Sequence, residues 1–115
     1  MGLLSLFTKE IAVDLGTANT IIIYKDKIVV EEPSIIAVNL VTGKTEAVGK
    51  KAMMMHGKTH QNIRTIRPLR DGVIADFHSA EIMIKEFIKM MDNKHSLFPP
   101  SLKAVISIPS GITEV

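Results

Sequence analysis

Three short apolar runs crowded into residues 11–30 set the tightest limit on what this chain can become. They cover 11–15, 20–24 and 28–30, rich in Ile and Val, and only the polar stretches 16–19 and 25–27 separate them. Parallel strands need a crossover of a dozen residues or more, whereas two to four turn residues suffice for a hairpin. The spacing therefore predicts an antiparallel meander. The near-continuous apolar character of the runs predicts a sheet covered on both faces.

Pro33 interrupts the pattern, and 34–38 resumes as strand. Thr42-Gly43-Lys44 is a hairpin-like turn before a strand over 45–49. Good helix formers run from Lys50 to His56, with Gly57 as the stop, and 59–65 is polar and predicted as loop. Pro68 and Gly72 punctuate an extended stretch over 66–77. A helix is predicted from Ser79, because Ala80, Met83, Ile84, Phe87, Ile88 and Met91 recur at three- and four-residue steps. Glu81 and Lys85 have the spacing of an exposed ion pair on it. Residues 92–96 end the helix, Pro99-Pro100 prevents its return, and 103–108 is a last strand. Thr113-Glu114 has the form of another helix start, so the domain reads as incomplete at its C-terminus.

The 115 residues are 46% hydrophobic and 23% charged, the balance of a folded domain rather than a disordered chain. A net charge of +2 gives no ground for nucleic acid as a partner. With no cysteine, a disulfide framework, a thiolate nucleophile and a cysteine-ligated zinc are excluded. No apolar run approaches the roughly 18 residues of a membrane-spanning helix, and the opening residues lack the form of a signal peptide. The expectation is a protein that stays in the cytoplasm.

The stretch most suited to chemistry is Asp14-Leu15-Gly16-Thr17-Ala18-Asn19-Thr20. A turn of small residues lets backbone N–H groups approach an anion, and such concave nests bind phosphate. Gly16, Thr17, Ala18, Asn19 and Thr20 are the candidate phosphate ligands, with side-chain donors from Thr17, Asn19 and Thr20. Asp14, at the strand end, has the chemistry to hold a water of phosphate-bound Mg²⁺. It is not a P-loop, since no Gly-Lys-Ser/Thr is present and a strand follows. An ordinary hairpin turn is the alternative.

The string at 14–20 resembles the first phosphate loop of the actin, Hsp70 and sugar-kinase superfamily, in the form characteristic of the MreB family of bacterial actins. Glu32-Pro33-Ser34, Ala47-Val48-Gly49, the whole of 66–77 and Ile108-Pro109-Ser110-Gly111-Ile112-Thr113 resemble MreB segments in the same order. The resemblance implies an α/β fold: an RNase H-like, actin-type ATPase subdomain with a mixed sheet, an antiparallel meander and flanking helices. It implies three parts: a membrane-contacting segment over 1–10, a larger subdomain from 11–32 and 77–115, and a smaller one over 33–76. It further implies ATP and Mg²⁺ as cofactors, with 14–20 at the β- and γ-phosphates. The implied activity is that of a filament-forming ATPase under the cytoplasmic membrane, controlling rod shape and guiding cell-wall synthesis. Its partners would be further copies of itself, membrane lipids and cell-wall elongation proteins. The family's second phosphate loop, adenosine-binding segments and water-activating glutamate correspond to positions beyond Val115. No catalytic residue and no direct metal ligand is therefore expected within these residues, and Glu114 belongs to a helix opening.

Leu3, Leu4, Leu6 and Phe7, together with Leu97 and Phe98 before Pro99-Pro100, are large apolar residues where burial is hard to arrange. The resemblance matches them to membrane-contacting positions, with Lys9, Lys94 and Lys103 adding attraction to anionic lipids. Covering the domain's own core is the other use for them. His56 and His60 have metal-pair spacing without an acidic third ligand nearby. Met53-Met54-Met55 reads as helix packing, Arg70-Asp71 as a salt bridge or turn, and Arg67 as a candidate subunit contact. The rival functions are an Hsp70-type chaperone or sugar kinase sharing the phosphate turn, and a non-enzymatic membrane-binding module.

Overall fold

The computed structural model describes residues 8–57, 62–94 and 101–107. In chain order the elements are β1 (Thr8–Leu15), β2 (Asn19–Tyr24), β3 (Lys27–Pro33), β4 (Ile36–Asn39), β5 (Thr45–Val48), α1 (Lys50–Met55), β6 (Ile63–Ile66), β7 (Leu69–Arg70), β8 (Val73–Ile74), α2 (Phe77–Lys94) and β9 (Ser101–Ser107). The meander forms as the spacing requires, and β9 joins it parallel to β1, giving the order β3-β2-β1-β9. A mixed sheet results, antiparallel on one side and parallel on the other. Lys25 and Asp26 both take positive φ, 52° and 62°, which turns β2 into β3 with the twist a hairpin needs.

Burial along β1 alternates: Ile11, Val13 and Leu15 are buried while Ala12 and Asp14 are exposed. The buried face continues into Ile22 and Val30 and meets Met83, Phe87 and Met91 of α2. The opposite face, where Ile21 and Ile23 lie beside Asp14 and Ala12, is only partly covered, and Ile28 is 58% exposed. Among the described residues one helix packs on one face, and the other face is partly covered.

The second layer is the sheet β5-β4-β6 with α1 against it. Ile35 and Ala37 pack with Ala52, Met53, Met55 and Ile63, while Ile36 points the other way into the larger core. Consecutive residues therefore serve two cores, as the two-residue period of a strand dictates. Part of the stretch 59–65, expected as polar loop, belongs to β6, because Ile63–Ile66 pairs with β4 in continuous register from Asn39↔Ile63 to Ile36↔Ile66. Isoleucine and threonine in that segment suit a pleated surface.

Helix α2 starts at Phe77, before the predicted Ser79, because Asp76 caps it: Asp76 Oδ1 accepts the Ser79 N–H at 3.0 Å. The Ser79 N–H, followed by its hydroxyl, holds the Asp76 carboxyl below its usual range. The predicted stripe is the packed one, with Ala80, Met83, Phe87 and Met91 buried and Ile84 and Ile88 half-buried. Its ion pair among the described residues is Glu86–Lys89 at 3.2 Å rather than the expected Glu81–Lys85. Both partners are exposed, so the pair adds little stability.

Candidate functional site

The register Leu15↔Thr20 leaves 16–19 as a tight loop between two paired strands. The Gly16 N–H donates to the Asn19 carbonyl at 3.1 Å and closes it. A Cβ at Gly16 would stand 2.5 Å from that same oxygen, so no larger residue allows this closure. Ser34 lies beneath the loop. Its N–H donates to the Ala18 carbonyl at 2.9 Å and its Oγ donates to the Gly16 carbonyl at 2.7 Å. Ser34 Oγ also lies 2.7 Å from Thr20 Oγ1. The Ser34 proton is committed to Gly16, so Thr20 is the donor in that pair.

This network gives the turn a polarity. The carbonyls of Gly16, Ala18 and Asn19 accept hydrogen bonds from within the protein. Among the described residues Thr17 and Ala18 donate no backbone hydrogen bond, and both residues are exposed. Carbonyls engaged inward and free N–H groups on an exposed rim make a surface suited to an anion. Thr17 Oγ1 accepts the Gly72 N–H at 3.0 Å, tying the loop to the β7–β8 turn. In that turn Asp71 and Gly72 have φ of 52° and 78°. Arg70-Asp71 thus forms part of a hairpin, not a salt bridge. The Asp14 side chain is exposed one residue before the end of β1.

Thr20, a candidate side-chain donor to phosphate, is fully buried with its hydroxyl given to Ser34. It holds the loop from below. Ser34 entered the sequence reading only within Glu32-Pro33-Ser34 and was given no role there, although a serine opening a strand among isoleucines must find partners when buried.

A cleft of about 490 Å³ opens beside the loop, lined by Thr17, His56, Thr65, Arg67, Leu69, Arg70 and Asp71. His56 Nδ1 lies 2.6 Å from Thr65 Oγ1. Among the described residues no cluster of His, Asp or Glu suits a metal ion, and His60 lies outside them. Met53 and Met55 pack as expected, while Met54 is 70% exposed. The membrane candidates Leu3, Leu4, Leu6, Phe7, Leu97 and Phe98 all lie outside the described residues. No described helix is long and apolar enough to cross a membrane.

The family model of the MreB/Mbl protein matches residues 8–115. The chain belongs to the MreB/Mbl family. Among relatives of this MreB/Mbl chain, the cell shape-determining protein Mbl of Bacillus cereus is 48% identical over 111 residues, covering 96% of this chain and 33% of the relative. The cell shape-determining protein MreB of Escherichia coli K12 is 41% identical over 115 residues, with the same coverage. The chain spans about a third of the length of the curated relatives it matches. Among solved structures, MreB5 of Spiroplasma citri bound to ADP superposes with a TM-score of 0.74 at 38% identity, over 93% of this chain and 31% of that one. A MamK double helical filament superposes with a TM-score of 0.66 at 23% identity, over 89% and 33%, and supports the fold alone. The fold is that of the actin-like ATPases.

Proposed function

We propose that this chain supplies the first phosphate-binding turn of an actin-like ATPase that assembles into membrane-associated filaments and directs rod shape and cell-wall synthesis. The observation that carries the reading is the polarity of the 16–19 loop: carbonyls engaged inward by Ser34 and Gly16, N–H groups of Thr17 and Ala18 free on the exposed rim. Gly16, Thr17, Ala18 and Asn19 would contact the β- and γ-phosphates of ATP, with Thr20 shaping the turn. The residues fit the group, since the Gly16, Ala18 and Asn19 carbonyls are engaged within the protein and the small side chains leave the rim open. Asp14 would orient waters of the accompanying Mg²⁺, whose charge offsets that of the phosphates. No residue of this chain is assigned the activation of water. That MreB5 was solved with ADP, and a second time with AMPPNP at 28% identity, supports a nucleotide at this fold.

In this reading 11–32 and 77–115 belong to the larger subdomain and 33–76 to the smaller. Residues 1–10 with Leu3, Leu4, Leu6 and Phe7, together with Leu97 and Phe98, would attach the protein to the inner face of the cell membrane. Each fully buried Leu or Phe would contribute about 1.5–3 kcal/mol, less when insertion is partial, and many copies in a polymer make weak attachment firm. The test is sedimentation of the natural protein with and without ATP and anionic liposomes. ATP-dependent pelleting, with lipid attachment lost in Leu97→Ser/Phe98→Ser, is the expected result. ATP binding without any pelleting would instead favour a chaperone or kinase relative.

A further inference from the structure

The cleft beside the phosphate turn carries more positive charge than its surroundings answer. Arg67 and Arg70 both face it, and neither has an acidic partner among the described residues, where the ion pair is Glu86–Lys89. Arg67 is half-buried, and its Nη2 rests 3.8 Å from the uncharged thioether of Met53. A guanidinium offers five N–H donors, so most of its capacity is unused. A half-buried cation without a counter-charge is unfavourable, and an anion is what completes it. The planar fork of arginine matches two oxygens of a phosphate. Thr17 adds a further donor. Its oxygen accepts the Gly72 N–H, which leaves its own hydroxyl proton for the cleft.

We propose that this cleft is a phosphate site, in which Arg67 and Arg70 hold a tetrahedral phosphate dianion and Thr17 bridges it to the 16–19 loop. Either the terminal phosphate of a nucleotide or free orthophosphate has the required chemistry. The first source rests on the nucleotide reading of the loop, and the second does not. Asp71 also lines the cleft, and its carboxylate opposes the anion. The site therefore has a built-in test of opposite signs: removing a positive charge must weaken binding, and removing the negative one must strengthen it.

The experiment is calorimetric titration of orthophosphate into the natural full-length protein, repeated with Arg70→Gln and Asp71→Asn and then with ATP present. Both residues are exposed, and asparagine accepts the positive φ of position 71, so the fold should be kept in each variant. The expected result is saturable binding that falls at least tenfold in Arg70→Gln and rises several-fold in Asp71→Asn. ATP that displaces orthophosphate identifies the terminal phosphate as the occupant, and ATP that binds without displacing it identifies free orthophosphate. Orthophosphate binding with the same two-signed response, but no ATP binding, refutes the nucleotide reading and leaves the cleft standing. Absence of saturable binding, or equal affinity in all three proteins, overturns the proposal.

Discussion

Ser34→Ala removes a single oxygen and with it two buried interactions under the phosphate turn. The first is the bond to the Gly16 carbonyl at 2.7 Å and the second the bond received from Thr20 at 2.7 Å. Each is expected to contribute about 1 kcal/mol net. Thr20 is fully buried, so its hydroxyl is left without a partner and adds about 1 kcal/mol more. The total is about 2–3 kcal/mol. Thr20→Val keeps the shape and loses one bond, since Ser34 still donates to Gly16, and should cost about 1 kcal/mol. In the double variant both hydroxyls are gone and neither is orphaned, so its cost should fall below the sum of the single costs by about 2 kcal/mol, the shared bond and the orphaned hydroxyl each being counted once too often in that sum. Urea unfolding followed by circular dichroism measures this directly. With a slope of about 1.3 kcal/mol/M, Ser34→Ala lowers the midpoint by about 2 M at unchanged slope. A cost under about 0.5 kcal/mol for Ser34→Ala, or strictly additive costs in the double variant, would refute the buried relay.

Gly49 has a φ of 65°, and a Cβ there would overlap the Glu32 carboxylate and stand 3.0 Å from a ring carbon of Phe87. The same carboxylate receives the Lys50 N–H at 2.7 Å, so Gly49→Ala disturbs both the core and the start of α1. Backbone strain and overpacking together should cost about 2–4 kcal/mol, read as a fall in thermal midpoint. Asp76→Ala removes the cap of α2 and should cost about 1 kcal/mol at neutral pH. The folded carboxyl titrates below its ordinary 3.8, held there by the Ser79 N–H and hydroxyl. The cap's contribution is therefore complete above that value and is lost as pH falls through the lower folded one. The stability gap between wild type and Asp76→Ala should close in acid, and a gap independent of pH would contradict the assignment.

The meander was legible because two short polar breaks leave no geometry other than hairpins. The α2 stripe was legible because six apolar residues repeat with the helical period, and the packed face is the one that period selects. The loop at 14–20 was legible as a candidate because glycine and small residues at a strand end are local chemistry. Strand β6 was not, since 63–66 becomes a strand only by pairing with β4, whose partner residues lie some distance back in the chain. The start of α2 was misread by two residues because a capping carboxylate decides it, not hydrophobic periodicity.

At the site itself the division is sharper. Sequence alone determined that residues 16–19 form a tight turn, since Gly16 and the flanking β-branched runs act over a few bonds. Which atoms of that turn face outward was decided by the tertiary structure. Ser34 crosses under the loop, takes up the Thr20 hydroxyl that the sequence offered to phosphate, and engages the Gly16 and Ala18 carbonyls. The tie from Thr17 to Gly72 and the convergence of Arg67 and Arg70 beside it depend likewise on contacts between distant segments. A hydrogen bond between residues 55 positions apart leaves no periodic trace in the chain, because its geometry exists only once both cores have packed.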